Sequence, residues 1–139
     1  MLVGTGTLGD MGCHLIDPPF RVLGLSYPTE VESSIGAIFS KDWVPDYFPD
    51  SCLPLSRTQL KFSVSEKNTC EVKMIYTDGG LRPFHPELIP ADHSIGDEDS
   101  ANGVIMIGEK GIMTSGTYRR NPKVYLNSGE IIIGDSKEE

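Results

Sequence analysis

Two short apolar runs joined by a tight turn, VIMIGEKGIMT at residues 104–114, decide the fold because they predict a β-hairpin. The intervening Gly108-Glu109-Lys110-Gly111 suits a chain reversal between strands. Side chains alternate between the two faces of a strand, which divides the first run into two pairs: Val104 with Met106, and Ile105 with Ile107. A hairpin favours an antiparallel sheet, because parallel strands need long crossover connections.

A second hairpin is predicted upstream, where two alternating segments flank the polar turn at residues 66–69. The segments, residues 59–65 and 70–77, each place three large apolar side chains on one face: Leu60, Phe62 and Val64, then Val72, Met74 and Tyr76. Residues 30–39 predict another strand, and two short apolar runs predict the last strands, at residues 124–126 and 131–133.

The segments between these strands are predicted to be irregular. Residues 40–54 contain three prolines, and residues 81–102 combine prolines with an acidic run. Strands outnumber helices, so the predicted class is α+β: a mostly antiparallel, open-faced sheet with helices packed on one side. The length of 139 residues suits a single domain.

The segment GDMGCHLID at residues 9–17 has helical spacing and contains the main candidates for a functional site. At about 100° per residue, four polar side chains fall within roughly a 60° arc: Asp10, His14, Asp17 and Arg21. The opposite side is apolar and includes Gly12, which suggests close approach of another element. Two prolines follow and predict a break or kink near residues 17–19, because neither can donate the helical hydrogen bond.

An imidazole one helical turn from two carboxylates has two interpretations. Histidine is the side chain whose charge changes near neutral pH, so this row of groups suits acid–base catalysis. An aspartate and a histidine at this spacing also suit a surface ion pair, and Asp17 before two prolines suits the cap of a new helix. Spacing alone leaves both interpretations open.

Several blocks of the sequence occur together in one order: GTLGDMGCHLIDP at residues 6–18, Leu23-Gly24-Leu25, Pro28-Thr29-Glu30-Val31, VKMIYTDGGL at residues 72–81, GVIMIGEKG at residues 103–111 and, more faintly, Asn121-Pro122-Lys123. They cover most of residues 4–125. In this order they resemble the second domain of the Gfo/Idh/MocA oxidoreductases, a family that includes glucose–fructose oxidoreductase and inositol dehydrogenase. The likeness is to the Bacteroidetes-type dehydrogenases of that family in particular.

The resemblance implies a function and two site residues. In that family an N-terminal Rossmann domain holds NAD or NADP, and the second domain supplies a broad sheet and part of the substrate pocket. By position, His14 would be the acid/base that moves a hydroxyl proton, and Asp10 would orient a sugar or polyol. Asp17 would support the ring and is a candidate for substrate binding. The family's sheets pack face to face between subunits, which implies a homodimer through the open sheet face.

No cofactor-binding residues are predicted in this chain. Gly4-Thr5-Gly6-Thr7-Leu8-Gly9 matches the letters of a dinucleotide fingerprint, but only three residues precede it where a hydrophobic strand is required. The family's Glu-Lys-Pro segment is also absent. The expectation is therefore a partial, C-terminal substrate-binding and dimerisation domain at residues 1–139, which lacks its Rossmann domain and does not transfer hydride alone.

Further candidate residues lie outside the helical segment. Tyr76, Arg82 and His85 surround the Gly79-Gly80 turn and are candidates for substrate binding, with a polar hairpin end as the alternative. Arg119-Arg120 suits either an anionic ligand or a solvated loop. Trp43 is expected to be a partly buried anchor of its loop, with stacking on a sugar ring as the alternative.

Composition excludes several classes of partner. With 12 basic and 20 acidic residues the net charge is −8, which argues against nucleic acid, and no apolar run indicates a membrane span. The acidic clusters at residues 92–99 and 135–139 are expected to be solvated. Three irregularly spaced cysteines predict buried free thiols: Cys13, Cys52 and Cys70. No metal site is predicted, because nothing fixes the mutual distances of the possible ligands Asp10, His14, Asp92 and His93.

Three functions therefore remain open. The first is the substrate-binding half of a sugar or polyol dehydrogenase. The second is part of an NAD-dependent glycoside-processing enzyme of the same family, which would use the same histidine. The third is a non-catalytic module that binds carbohydrate or protein.

Overall fold

The computed structural model describes four parts of the chain: residues 6–46, 49–52, 54–100 and 102–135. In them one α-helix and nine β-strands form, and every strand pair is antiparallel. The predicted α+β class with antiparallel sheets is confirmed. The strands are divided among three sheets, of three, two and four strands. Most of the acidic tail at residues 135–139 lies outside the described residues.

The chain divides by its internal contacts into two compact units. The first has the residues up to Cys13 and Phe20–Pro83, and the second has His14–Pro19 and the residues from Phe84 onward. Helix α1 spans Gly6–Val22. The strands of the first unit are β1 (Glu30–Gly36), β2 (Phe39–Lys41), β3 (Val44–Pro45), β4 (Leu55–Phe62) and β5 (Val72–Thr77). Those of the second are β6 (Val104–Gly108), β7 (Gly111–Ser115), β8 (Lys123–Leu126) and β9 (Ile131–Ile133).

Helix α1 continues through its two prolines, so the break expected near residues 17–19 is not present. Pro18 and Pro19 have no N–H for the carbonyls of His14 and Leu15, but tertiary packing holds the turn that follows. The ring of Phe20 meets that of Phe62 edge-on, with centroids 6.4 Å apart. The predicted apolar side of the helix is not fully covered, because Phe20 and Val22 are exposed.

The helix ends in a Schellman arrangement at Gly24. The Leu25 N–H donates to the Phe20 carbonyl oxygen at 2.9 Å, and the Gly24 N–H donates to that of Arg21 at 3.3 Å. Gly24 has a φ of +58°, a left-handed conformation that glycine adopts without a steric penalty. A glycine therefore sets the end of the helix two residues after Val22.

The sheet of the first unit has the order β1-β4-β5. The predicted hairpin of β4 and β5 is confirmed, and its covered face includes the buried Thr58, Phe62 and Tyr76. The hydroxyls of Ser33 and Thr58 form a hydrogen bond of 2.9 Å between β1 and β4. The other face is polar, with an ion pair of 3.1 Å from Lys61 to Glu30.

The segment expected to be a proline-rich loop contains regular structure. Strands β2 and β3 form a ribbon closed by Asp42 and Trp43, and β4 begins at Leu55, four residues earlier than predicted. Trp43 is 94% exposed and has a φ of +64°, so the expectation of a partly buried anchor is wrong. A short ribbon buries too little surface to cover a side chain of this size.

The sheet of the second unit has the order β6-β7-β8-β9 and confirms the predicted second hairpin. Its core consists of Ile89, Ile112 and Tyr125, with three partly buried neighbours: Leu88, Ile95 and Ile105. Ile89 comes from the predicted irregular excursion, whose described residues contain neither helix nor strand. That excursion therefore supplies part of the core without regular structure.

Two absences apply to the described residues. They contain no disulfide. Cys13 and Cys70 are exposed and Cys52 is half-buried, so the expectation of buried thiols is wrong. Each of the three lies in a helix, loop or turn near the surface and not in a sheet core. No helix in the described ranges has the length and apolar character needed to cross a bilayer.

Candidate functional site

His14 lies in the middle of helix α1 and is half-buried. Its imidazole packs against the phenol ring of Tyr118, with ring centroids 4.7 Å apart and the planes inclined at 52°. Both residues belong to the second unit. This contact restricts how the imidazole can turn, because the ring of Tyr118 occupies the space beside it.

The loop that carries Tyr118 has an unusual backbone. Tyr118, Arg119 and Asn121 have φ values of +56°, +66° and +46°, in the left-handed region that residues other than glycine seldom adopt. Each such residue costs on the order of 1–3 kcal/mol and persists only where its surroundings fix it. Backbone strain of this kind concentrates at functional sites, so the loop is a candidate on geometry alone.

Hydrogen bonds fix this loop from inside and from outside. The Gly116 N–H donates to the Arg120 carbonyl oxygen at 2.8 Å, and the Arg120 N–H donates to that of Thr117 at 3.2 Å. The Asp97 carboxylate accepts from the Thr117 N–H at 3.0 Å. Asp97 belongs to the acidic cluster that was expected to be solvated, and it is half-buried instead.

Gly116 has no room for a side chain. A Cβ atom there would lie 2.1 Å from Oδ1 of Asp97, the carboxylate that holds the loop. Its φ of −77° is ordinary, so close approach and not backbone conformation explains the glycine. Asp97 and Gly116 together set where the loop begins.

Arg120 completes the group around Tyr118. Its guanidinium carbon lies 5.8 Å from the centroid of the Tyr118 ring, within the range of a cation–π interaction. Arg119 and Arg120 are both exposed, and neither has a carboxylate partner among the described residues. We define the Tyr118 site as His14, Tyr118 and Arg120.

A shallow polar depression borders the same loop. Its lining contains hydroxyl, amide and charged side chains: Ser94, Glu98, Thr114, Asn121 and Lys123. Asn121 belongs to the strained loop. A surface of this composition suits hydrogen bonding to a polar ligand.

The two predicted carboxylates of the helix differ in exposure. Asp10 is exposed and Asp17 is half-buried with an interaction of its own. The negative charge of Asp10 is a minor cause of the raised pKa of Tyr76, and both residues belong to the first unit.

Tyr76 is buried and its hydroxyl has a structural partner. The hydroxyl donates to the backbone oxygen of Thr7 at 3.0 Å. Burial raises the pKa of Tyr76 to about 12, with smaller contributions from the negative charges of Asp78 and Asp10. The Asp78 carboxylate itself accepts hydrogen bonds from the backbone N–H and the hydroxyl of Ser56.

The other two predicted substrate-binding residues are exposed and lie in different units. Arg82 belongs to the first unit and His85 to the second. The imidazole of His85 lies 3.2 Å from the Pro86 carbonyl oxygen and 3.5 Å from that of His93. His93 in turn is engaged with the hydroxyl of the buried Tyr125 at 3.0 Å. No three or more His, Cys, Asp or Glu side chains in the described parts of the chain are grouped to hold a metal ion.

Sequence reasoning missed Tyr118 and Asp97. A tyrosine before two arginines has no distinguishing pattern, and its contact with His14 joins residues far apart in the chain. Asp97 resembled its acidic neighbours. No protein-family model matches the chain, and no curated protein matches it.

Proposed function

We propose that this chain is the substrate-binding part of an NAD(P)-dependent oxidoreductase that acts on a hydroxyl of a sugar or polyol, with His14 as the acid/base. One observation carries the proposal: a half-buried helical imidazole is packed against an aromatic ring. Acid/base catalysis needs a proton carrier held in a fixed orientation, and such a contact supplies it. The family resemblance supports the same histidine independently.

In this proposal the chain's own residues handle the proton and the hydroxyl groups. Neutral His14 accepts the hydroxyl proton when the carbon is oxidised and returns it in the reverse direction. Asp10 orients the substrate by accepting hydrogen bonds from its hydroxyls, and Asp17 supports it. Substrate binding by Tyr76, Arg82 and His85 remains a prediction. The Tyr76 hydroxyl already donates to Thr7, so toward a ligand it would act as an acceptor.

NAD(P) does not fit the described residues. A dinucleotide site needs parallel strands joined through a helix, with a glycine-rich turn at the helix start, whereas every strand pair here is antiparallel. We therefore assign the dinucleotide, which removes hydride from the carbon, to another domain of the parent protein. Proton transfer and substrate orientation in this proposal use only side chains of this chain.

Titration of the full chain with myo-inositol and D-glucose, followed by NMR chemical shifts, tests the binding half of the proposal. We expect shifts at His14 and its neighbours and weaker binding by His14→Ala. The control is Cys13→Ala, because Cys13 immediately precedes His14 in the same helix and is exposed. Equal binding by the wild type and His14→Ala would contradict the proposal.

Turnover tests the catalytic half. In a protein that carries the dinucleotide domain, His14→Ala should lower kcat by about 10²–10⁴-fold, the range of general acid/base catalysis. Cys13→Ala should retain kcat. Wild-type turnover in His14→Ala would remove the acid/base role. Product analysis with and without net NADH formation separates a dehydrogenase from a glycoside-processing enzyme.

The alternative function is a non-catalytic binding module, which one observation favours. Trp43 is almost fully exposed at the turn of the β2–β3 ribbon, and the apolar side chains Phe39 and Val44 beside it are exposed too. Exposed aromatic side chains commonly mark binding surfaces. Loss of carbohydrate binding in Trp43→Ala, with His14→Ala unaffected, would favour the module over the enzyme.

A homodimer is the proposed assembly. Strand β9 is an edge strand with three consecutive exposed isoleucines, and Ile132 continues an apolar row across the sheet: Met106, Met113, Val124 and Ile132. An apolar row at a sheet edge is a surface that a second copy could cover. Light scattering at micromolar concentration should give the dimer mass for the wild type and the monomer mass for Ile132→Lys. A monomeric wild type would contradict the proposal.

A further inference from the structure

The Tyr118 site places a cation beside the proposed acid/base. The centroid of the Tyr118 ring lies 4.7 Å from the centroid of the His14 imidazole. The same centroid lies 5.8 Å from the guanidinium carbon of Arg120. Both groups lie beside the same ring, so each is near a ligand bound at that ring. His14 is assigned to the reacting hydroxyl, which leaves Arg120 for a different substituent of the same substrate.

The charge of this loop contrasts with that of the chain. The net charge is −8, but Arg119, Arg120 and Lys123 follow one another closely. The Asp97 carboxylate of the same unit accepts a hydrogen bond from the backbone N–H of Thr117. Neither arginine has a carboxylate partner among the described residues. A guanidinium without a counter-charge in the described part of its chain is suited to an anion from outside.

The loop is also held in its conformation before any ligand binds. Three residues keep left-handed backbones, and the bonds from Gly116 to Arg120 and from Thr117 to Asp97 fix them. Preorganisation of this kind reduces the entropy lost on binding. Tyr118, Arg119 and Arg120 are all exposed, so burial of their own side chains does not account for the strain.

We propose that Arg120, oriented by Tyr118, binds an anionic group of the substrate, so that the substrate is a sugar bearing a carboxylate or a phosphate and not a neutral polyol. The guanidinium donates two parallel N–H bonds to the oxygens of that group. This inference rests on the proposed function for the identity of the ligand as a sugar. The inference adds that the site selects a sugar with an anionic substituent.

Titration of the full chain with D-glucuronate, D-glucose 6-phosphate and D-glucose tests the inference. Chemical shifts give Kd for the wild type, Arg120→Ala and Lys110→Ala. Lys110 is the control, because it is an exposed cation of the same unit in the β6–β7 turn. We expect an anionic probe to bind about 10-fold or more tightly than glucose, and Arg120→Ala to remove that difference.

A second pair of variants separates orientation from charge. Tyr118→Phe keeps the ring that contacts His14 and Arg120, so it should retain the preference for the anionic probe. Tyr118→Ala removes the ring and should lose most of that preference while Arg120 is still present. Binding of glucuronate but not of the phosphate identifies a carboxylate substrate, and the reverse identifies a phosphate.

The possible failures are distinguishable. Equal affinity for glucose and both anionic probes, or an unchanged Kd in Arg120→Ala, overturns the inference and leaves the role of His14 intact. Wild-type kcat in His14→Ala overturns the acid/base role and leaves an Arg120-dependent preference standing. Absence of binding by all three probes overturns the inference.

Discussion

The Tyr76 hydroxyl donates a hydrogen bond to the backbone oxygen of Thr7, 3.0 Å away, and thereby joins strand β5 to the first turn of helix α1. Tyr76 is 7% exposed, so without this partner its hydroxyl would be buried and unsatisfied. The contact spans most of the first unit's sequence. It holds the amino end of the helix that carries the proposed acid/base.

Tyr76→Phe should lower the free energy of unfolding by about 1 kcal/mol, the usual net value of one hydrogen bond. The ring remains, so packing is preserved and the loss reports the hydroxyl. Urea denaturation measures the change, with Tyr27→Phe as the control because Tyr27 is 91% exposed. Equal stability of the Tyr76→Phe variant and the wild type would mean that the bond to Thr7 contributes nothing.

The same residue should make the protein less stable in alkali. Below pH 10 the phenol is protonated in the folded and unfolded states, and between pH 10 and about 12 only the unfolded chain loses the proton. The free energy of unfolding therefore falls as pH rises through this window. Tyr76→Phe should remove part of that fall. The pKa values of Tyr125 and Lys61 are also raised, so these two residues should still lower the free energy of unfolding in alkali when Tyr76 is replaced.

Gly116→Ala should destabilise the protein by about 1–3 kcal/mol, as overpacking does. The new Cβ would displace the Asp97 carboxylate and break its bond to Thr117. Gly108→Ala is the control, because a Cβ there meets only an atom at 3.8 Å. The effect of Gly116→Ala should shrink in an Asp97→Ala background, and additive losses in this double-mutant cycle would argue against the mechanism.

Arg119→Gly should stabilise the protein by about 1 kcal/mol, because glycine adopts the left-handed backbone without the steric cost. Arg119 is exposed, so little packing is lost. Lys110→Gly, an exposed change outside the left-handed positions, should instead be neutral or destabilising. Thermal unfolding of the two variants provides the comparison, and a lower Tm for Arg119→Gly would show that the loop is not strained there.

Pro18→Ala should raise the free energy of unfolding by about 1 kcal/mol or more. Alanine restores the N–H that the His14 carbonyl lacks and removes the ring clash inside the helix. Pro28→Ala is the control: it lies outside the helix and should lose a little stability through the more flexible unfolded chain. Urea midpoints check both changes, and a lower midpoint for Pro18→Ala would indicate that its ring contributes more by packing.

Local patterns predicted the parts of the fold that depend on neighbours in sequence. The two hairpins were predicted from alternation and turn residues, and both form, with Leu60 paired to Met74 and Met106 paired to Met113. Helix spacing likewise placed His14 within α1. Each of these elements follows from a pattern of residues that are close together in the sequence.

The rest depended on contacts that no local pattern reveals. Helix α1 is continuous where two prolines predicted a break or kink, and the packing of Phe20 on Phe62 is a contact from the turn that follows them. Strand β4 begins as early as Leu55 because Leu55 pairs with Gly36 of strand β1. The Tyr118 site escaped prediction for the same reason, since its partner His14 is in a different part of the sequence.

The two prolines of α1 also have a kinetic consequence. A peptide of residues 6–22 alone should show almost no helical signal in circular dichroism, because each internal proline costs about 3 kcal/mol and a segment of this length is marginal even without one. The helix can then form only as the sheet residues it contacts come together. His14 would then acquire its orientation only together with tertiary packing, which couples competence for chemistry to formation of the native state.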